Sequence, residues 1–184
     1  MQQQAQIGLS TRHIAISGVL AAIAIFLGLT RLVFIPNPFT GVNATVGHIP
    51  PIIGGILEGP IVGAIIGTIF GLSSYFYATI PVFKDPLVAI VPRIFIGVFS
   101  AWTYMAFRKA GEWWAIALAA VIGTATNTVL VVGLAVVRGF WTKRVGLGIA
   151  ITHGIPEMIA AVIICLAVLL SWKRVQTGRA RARV

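Results

Sequence analysis

Six side chains in this 184-residue sequence pair a chemistry suited to holding a small polar solute with positions in or beside apolar segments: Arg93, Asn127, Glu157, His153, His48 and Lys84. Arginine carries a planar fork of N–H donors that matches a carboxylate, asparagine both donates and accepts, and a neutral imidazole offers one donor and one acceptor. A charged side chain near mid-bilayer costs about 2.5–3.5 kcal/mol on insertion scales, so Arg93 and Glu157 each need a reason to be there. Either they pair and lock two helices, or they line a water-filled pocket for a polar ligand. His153 and Glu157 are four residues apart and share a helix face. Two separated histidines and one acid do not make a recognisable metal-ligand spacing, so no metal site is expected. Cys165 is the single cysteine, which excludes an intrachain disulfide or a cysteine-based metal site.

The surroundings of these residues are those of a membrane protein. Hydrophobic residues make up 58% of the sequence and charged ones only 10%, and the mean hydropathy is +0.98. The formal net charge of +10 does not point to nucleic acid, because the basic residues lie between and beyond apolar runs and form no continuous stripe. The sequence contains no G-x-x-x-x-G-K-[ST] phosphate loop, no H-E-x-x-H and no G-x-S-x-G. An enzyme is therefore not expected, the chain cannot hydrolyse ATP alone, and no cofactor is expected in it.

About 20 apolar residues span a bilayer core, and six such segments follow one another. They cover about His13–Val33, Thr45–Leu57, Pro60–Ile80, Pro86–Phe107, Trp113–Val137 and Gly148–Trp172. The second is short, and Pro50 and Pro51 predict that it is extended or bent. The expected fold is thus a single all-α membrane domain over residues 1–184, with an N-terminal tail 1–12, a retained first helix and a basic tail 173–184.

An even number of spans puts both termini on one side. With the termini inside, Arg12, Arg108, Lys109, Lys173, Arg174, Arg179, Arg181 and Arg183 face the cytoplasm, against Arg31, Lys84, Arg138, Lys143 and Arg144 outside. That excess of basic residues predicts cytoplasmic termini. Arg93, Asn127 and Glu157 then fall roughly 10–15 Å below the outer boundary, with His48 and His153 nearer to it. Lys84 and Asp85 sit in a proline-flanked outer loop, where Asp85 is expected to be a solvated charge and Lys84 fits either a solvated charge or part of a lid. A second candidate for the lid is the first loop, Pro36–Ala44.

Gly63, Gly67 and Gly71 recur every four residues along one helical stripe, where absent side chains allow another helix to come close. In the first span, Ser17 with Ala21 and Gly18 with Ala22 offer the same small-x-x-x-small spacing.

The small six-span layout, the segment HIPPIIGGILEGPIVGAIIGTIFGLSS, the loop and helix KDPLVAIVPRIFIGVFSAWTY, and GTATNTVLVVGL resemble the substrate-binding (S) components of energy-coupling factor (ECF) vitamin transporters. The resemblance covers nearly the whole chain, and these segments look most like the pantothenate-type members. It implies capture of a water-soluble vitamin at the outer face of a prokaryotic plasma membrane. It also implies docking on a transmembrane coupling subunit served by two ATPase subunits, with release by tilting of the whole S component. In such proteins the first three helices carry the docking face and the later ones shape the pocket. Ser17, Gly18, Ala21, Ala22, Gly63, Gly67 and Gly71 are the docking candidates on that basis, and Arg93, Asn127 and Glu157 fit the pocket. The first helix departs from the Ala-x-x-x-Ala pattern frequent in the family, and an Ala115–Ala119 pair occurs instead in the fifth. Pantothenate is the first choice of ligand because a carboxylate suits Arg93 and the basic loop Arg138–Arg144; another vitamin is the alternative.

A membrane scaffold whose polar residues only lock helices remains the competing class, predicting no ligand. A small channel ranks below it, since the polar residues stop in the outer half rather than running the full depth of a helix.

Overall fold

A computed structural model describes residues 11–30, 35–36, 43–44 and 46–181. The expected N-terminal tail (residues 1–10), Arg31, the middle of the first loop (37–42) and Arg183 lie outside the described residues. Six α-helices form the chain: α1 (Thr11–Thr30), α2 (Ile49–Glu58), α3 (Pro60–Phe76), α4 (Pro86–Phe107), α5 (Glu112–Val137) and α6 (Lys143–Arg181). Between α1 and α2 a short antiparallel ribbon pairs β1 (Ile35–Pro36) with β2 (Asn43–Ala44), and β2 rests on α6. Helices α4, α5 and the stretch Lys143–Val175 of α6 are long and apolar enough to cross a membrane; α1, α2 and α3 are shorter apolar helices.

Prolines begin several of these elements. Pro60 and Pro86 open α3 and α4, and Pro50 lies in the first turn of α2. There the missing N–H costs nothing, because the first turn has no intrahelical acceptor for it. The expected bend in the second segment is therefore not found: Pro50 and Pro51 start a regular helix instead of interrupting one. Gly59, at φ +93°, turns the chain from α2 into α3, a conformation that disfavours any side chain, and its N–H closes α2 on the Gly55 carbonyl. The basic segment after Trp172 continues α6 as far as Arg181, so most of the expected tail is helical.

α2 occupies the middle of the bundle. Its residues Ile49–Ile56 are all buried, and it touches each of the other five helices. Around it, α1 packs on α3, α3 on α4, α4 on α5, and α5 on α6. Lipid supplies no hydrophobic drive for helix association, so close approach has to come from small residues. Gly55, Gly63 and Gly97 bring α2, α3 and α4 to one point, where a Cβ built on Gly97 would lie 2.4 Å from Gly63 and one on Gly55 2.3 Å from the Gly97 carbonyl oxygen. Gly67 and Gly71 continue the seam: a Cβ built on Gly67 would lie 2.1 Å from the Arg93 carbonyl oxygen and one on Gly71 2.9 Å from the Ile90 backbone. The glycine stripe of α3 is thus consumed inside this chain, against the backbone of α4. It does not present Gly63, Gly67 and Gly71 to another subunit. On α1, Ala21 is buried and Ser17 half-buried, whereas Gly18 and Ala22 face outward. Ala115 and Ala119 are buried in the core with Ile52, Ile96 and Ile116.

Two ion-pair clusters tie the helix ends. At one end Lys173 of α6 donates to Glu112 and, at 2.6 Å, to the Tyr104 hydroxyl, which itself donates to Glu112 at 2.9 Å, so α4, α5 and α6 are joined. At the other, Asp85 corrects an expectation, for it is buried rather than solvated. It caps α4 by accepting from the Leu87 N–H at 2.9 Å and accepts from Arg138 Nε at 2.7 Å, across 53 residues of sequence. The Arg138 hydrogen bond outweighs the opposing effect of burial, and with the Leu87 N–H it holds the Asp85 carboxyl below its usual value of 3.8. A carboxyl lowered in the folded state contributes stability above its unfolded value and loses it as pH falls through the folded one. The melting temperature of the wild type should therefore drop as the pH is taken from about 5 towards 3. Asp85→Asn should start lower at neutral pH and show a shallower acid decline. Parallel curves for the two proteins would refute this role.

Candidate functional site

The site is built on α4, where proline and arginine are adjacent. Pro92 lies inside the helix and has no N–H to give to the Val88 carbonyl four residues earlier. Arg93 supplies the missing donor itself, from Nη1 to the Val88 oxygen at 2.5 Å. The guanidinium is buried, with Cζ 4.9 Å from the Phe83 ring centre and 5.9 Å from that of Phe70. A cation over an aromatic face is attracted to the ring quadrupole, by up to about 2 kcal/mol when desolvated. Phe70 has room because residue 47 is glycine: a Cβ there would lie 2.6 Å from the ring. Glu157, also directly after a helix-interior proline, Pro156, attracts Arg93 electrostatically from α6.

The other polar residues come from α5, α6 and the start of α2. His48 is fully buried, its Nε2 3.1 Å from Thr124 Oγ1. His153 is buried with Nδ1 3.2 Å from the Ile149 carbonyl oxygen. The Thr152 hydroxyl lies 3.1 Å from the same ring nitrogen. Asn127 is half-buried on α5. Contacts between the antiparallel helices give their relative heights: Ser100 is level with Gly123, and Thr128 with Gly154. At a rise of 1.5 Å per residue, Arg93, His153, Asn127, Glu157 and His48 fall in that order over roughly 9 Å along the bundle axis. The shared depth expected of Arg93, Asn127 and Glu157 is close to this arrangement. His48, expected nearer the boundary, lies instead at the level of Thr124, the deepest of the set.

Three buried polar atoms in α4 and α5 have no hydrogen-bond partner among the described residues: Arg93 Nε, Ser100 Oγ and Asn127 Oδ1. Such atoms are uncommon in folded proteins, and each one left unpaired costs about 1–3 kcal/mol. Lys84 stands apart from this group. It is exposed and lines an open cleft of about 390 Å³ together with Asp85, Arg138 and Phe140. Its neighbour Phe83, not Lys84, reaches Arg93. Among the described residues no three His, Cys, Asp or Glu side chains gather closely enough to hold a metal ion.

The sequence reading missed Phe70, Phe83 and Thr124. Thr124 carried a usable signal, three residues before Asn127 and thus on the same face of α5. Phe83 carried none, since only the packing of the 3-10 turn Pro81–Lys84 on α4 brings its ring to Arg93.

The chain as a whole resembles known proteins over most of its length. The family model described as "ECF transporter, substrate-specific component" matches residues 12–169. The pantothenic acid transporter PanT of Lactococcus lactis subsp. cremoris (strain MG1363) is 33% identical over 181 residues, covering 84% of this chain and 90% of PanT. The solved structure of the S component of a bacterial ECF transporter superposes with a TM-score of 0.64 at 18% identity, covering 91% of this chain and 96% of that one.

Proposed function

We propose that this chain, which belongs to the family of ECF transporter substrate-specific components, captures pantothenate and that Arg93 holds its carboxylate. As a member of that family it is a multi-pass protein of the cell membrane and the vitamin-binding subunit that works with an ECF module. The choice of pantothenate draws on the relative PanT. The observation that carries the site assignment is the buried Arg93 guanidinium, whose Nε makes no hydrogen bond among the described residues. An anion brought to it would gain a charge-assisted hydrogen bond where the protein has already met the cost of burying the cation.

In this reading the Asn127 carbonyl accepts from a ligand hydroxyl or amide, His153 hydrogen-bonds a second polar group of the ligand, and Glu157 orients Arg93. His48 supports the pocket floor through Thr124, and Lys84 attracts the anion electrostatically at the mouth. Capture takes place at the outer face, with both termini in the cytoplasm. The outward-facing Gly18 and Ala22 of α1 form the contact with the coupling subunit, where a missing or small side chain allows close approach. ATP hydrolysis belongs to two separate subunits, and movement of this chain in the bilayer delivers the vitamin inward.

Protein purified gently from cells should retain its vitamin if binding is in the nanomolar range, about −12 kcal/mol. Mass spectrometry of the released small molecules is expected to find pantothenate at a molar ratio near one. A different vitamin would overturn the role given to Arg93. Empty protein whose melting temperature no vitamin raises would favour a helix-locking scaffold.

A further inference from the structure

We infer that Pro92 is a positioning residue for ligand recognition, acting through the carbonyl that it leaves without a helical donor. This inference rests on the reading in which Arg93 takes the carboxylate. In an uninterrupted helix the N–H of residue 92 would satisfy the Val88 oxygen. Proline cannot do so, and Arg93 Nη1 occupies that acceptor instead. Pro92 is itself fully buried and faces the packed interior.

The orientation that results is specific. A guanidinium has two bidentate edges, one formed by both terminal nitrogens and one by Nε with the terminal nitrogen on its side. Anchoring Nη1 to Val88 engages the nitrogen that belongs to the first edge alone and leaves intact the second, the edge that contains Nε, the atom without a hydrogen bond. Phe83 and Phe70 hold the same group from its sides, and Phe70 is seated over Gly47. A long and flexible side chain is thereby fixed before the ligand arrives, which removes an ordering cost from binding. Pro92 determines which edge of Arg93 meets the carboxylate, and therefore how strongly the site prefers an acid to its neutral counterpart.

Restoring the backbone N–H tests this. In Pro92→Ala the helix regains its hydrogen bond to Val88 and Arg93 loses its anchor. The melting temperature without ligand should stay the same or rise. The ratio of affinities for pantothenate over pantothenol, its uncharged alcohol counterpart, should fall by roughly 10- to 150-fold, as for the loss of one charge-assisted hydrogen bond. Pro92→Val, which also returns the N–H but fills more of the buried volume, should behave alike and covers the case in which alanine leaves a damaging cavity. Arg93→Met separates the two levels. If it abolishes the preference while both Pro92 variants keep the wild-type ratio, Pro92 has no positioning role and the function of Arg93 stands. If Arg93→Met itself keeps the ratio, the carboxylate reading is wrong. Failure of both Pro92 variants to fold would also overturn the inference, because Pro92 would then be required for packing.

Discussion

Arg93→Ala should weaken pantothenate binding by about 2–5 kcal/mol, the range for removing one partner of a buried charge pair, or roughly 30- to 4,000-fold in affinity. The large value follows from the surroundings of the guanidinium. It is buried beneath two phenylalanine rings on a helix that crosses the membrane, where a charge is screened far less than at the protein surface. Isothermal titration with pantothenate, alongside the melting temperature of the ligand-free variant, distinguishes the competing explanations. A ligand-capture role predicts a large loss of affinity and a modest change in ligand-free stability, since alanine removes the buried cation together with its contacts. A helix-locking role predicts a clear loss of ligand-free stability with no ligand effect to lose. Unchanged affinity in a folded variant would refute the assignment.

Gly97→Ala should be among the most damaging single-methyl changes in the protein. The new Cβ would sit 2.4 Å from the backbone of Gly63, which cannot swing aside as the end of a side chain would. Helices α3 and α4 would have to separate, and the cost should reach or exceed the top of the roughly 1–3 kcal/mol usual for overpacking. Arg93 lies one turn away on the same helix, and its carbonyl is the contact of Gly67, so ligand affinity should fall with stability. Gly133→Ala on α5 is the matched control. Nothing lies within 4 Å of its added methyl, and the better helix propensity of alanine should leave the protein as stable or up to about 1 kcal/mol more so. Equal melting temperatures for Gly97→Ala and Gly133→Ala would mean that the three-helix contact at Gly97 is not as tight as described.

Local rules made much of this architecture readable in advance. Spans of apolar residues mark the helices because a bilayer requires a minimum length of uninterrupted hydrocarbon-compatible chain. The fourth segment, Pro86–Phe107, coincides with α4 because proline and the Asp85 cap define its start. Arg93, Asn127 and Glu157 stood out as polar residues in apolar segments, and their heights follow from the rise of a helix and the alternation of its direction. Even the Arg93 contact with Val88 is a local consequence of Pro92, since the vacated carbonyl is always four residues back.

What lay outside the reach of the sequence concerns partners distant along the chain. The spacing of Gly63, Gly67 and Gly71 defines a face fit for close approach, yet it carries no information on whether α4 or another protein meets that face. Tertiary packing decided for α4, because Gly55 and Gly97 complete the same contact from two other helices. Likewise an aspartate in a loop reads as solvated until Arg138 arrives from 53 residues away, and His48 reads as near the surface until it is found against Thr124. The composition and periodicity of this sequence determined a six-helix membrane protein with a small set of polar residues in its interior. Only the folded bundle decided which of them meet, because a helix face is a property of one segment whereas a contact is a property of two.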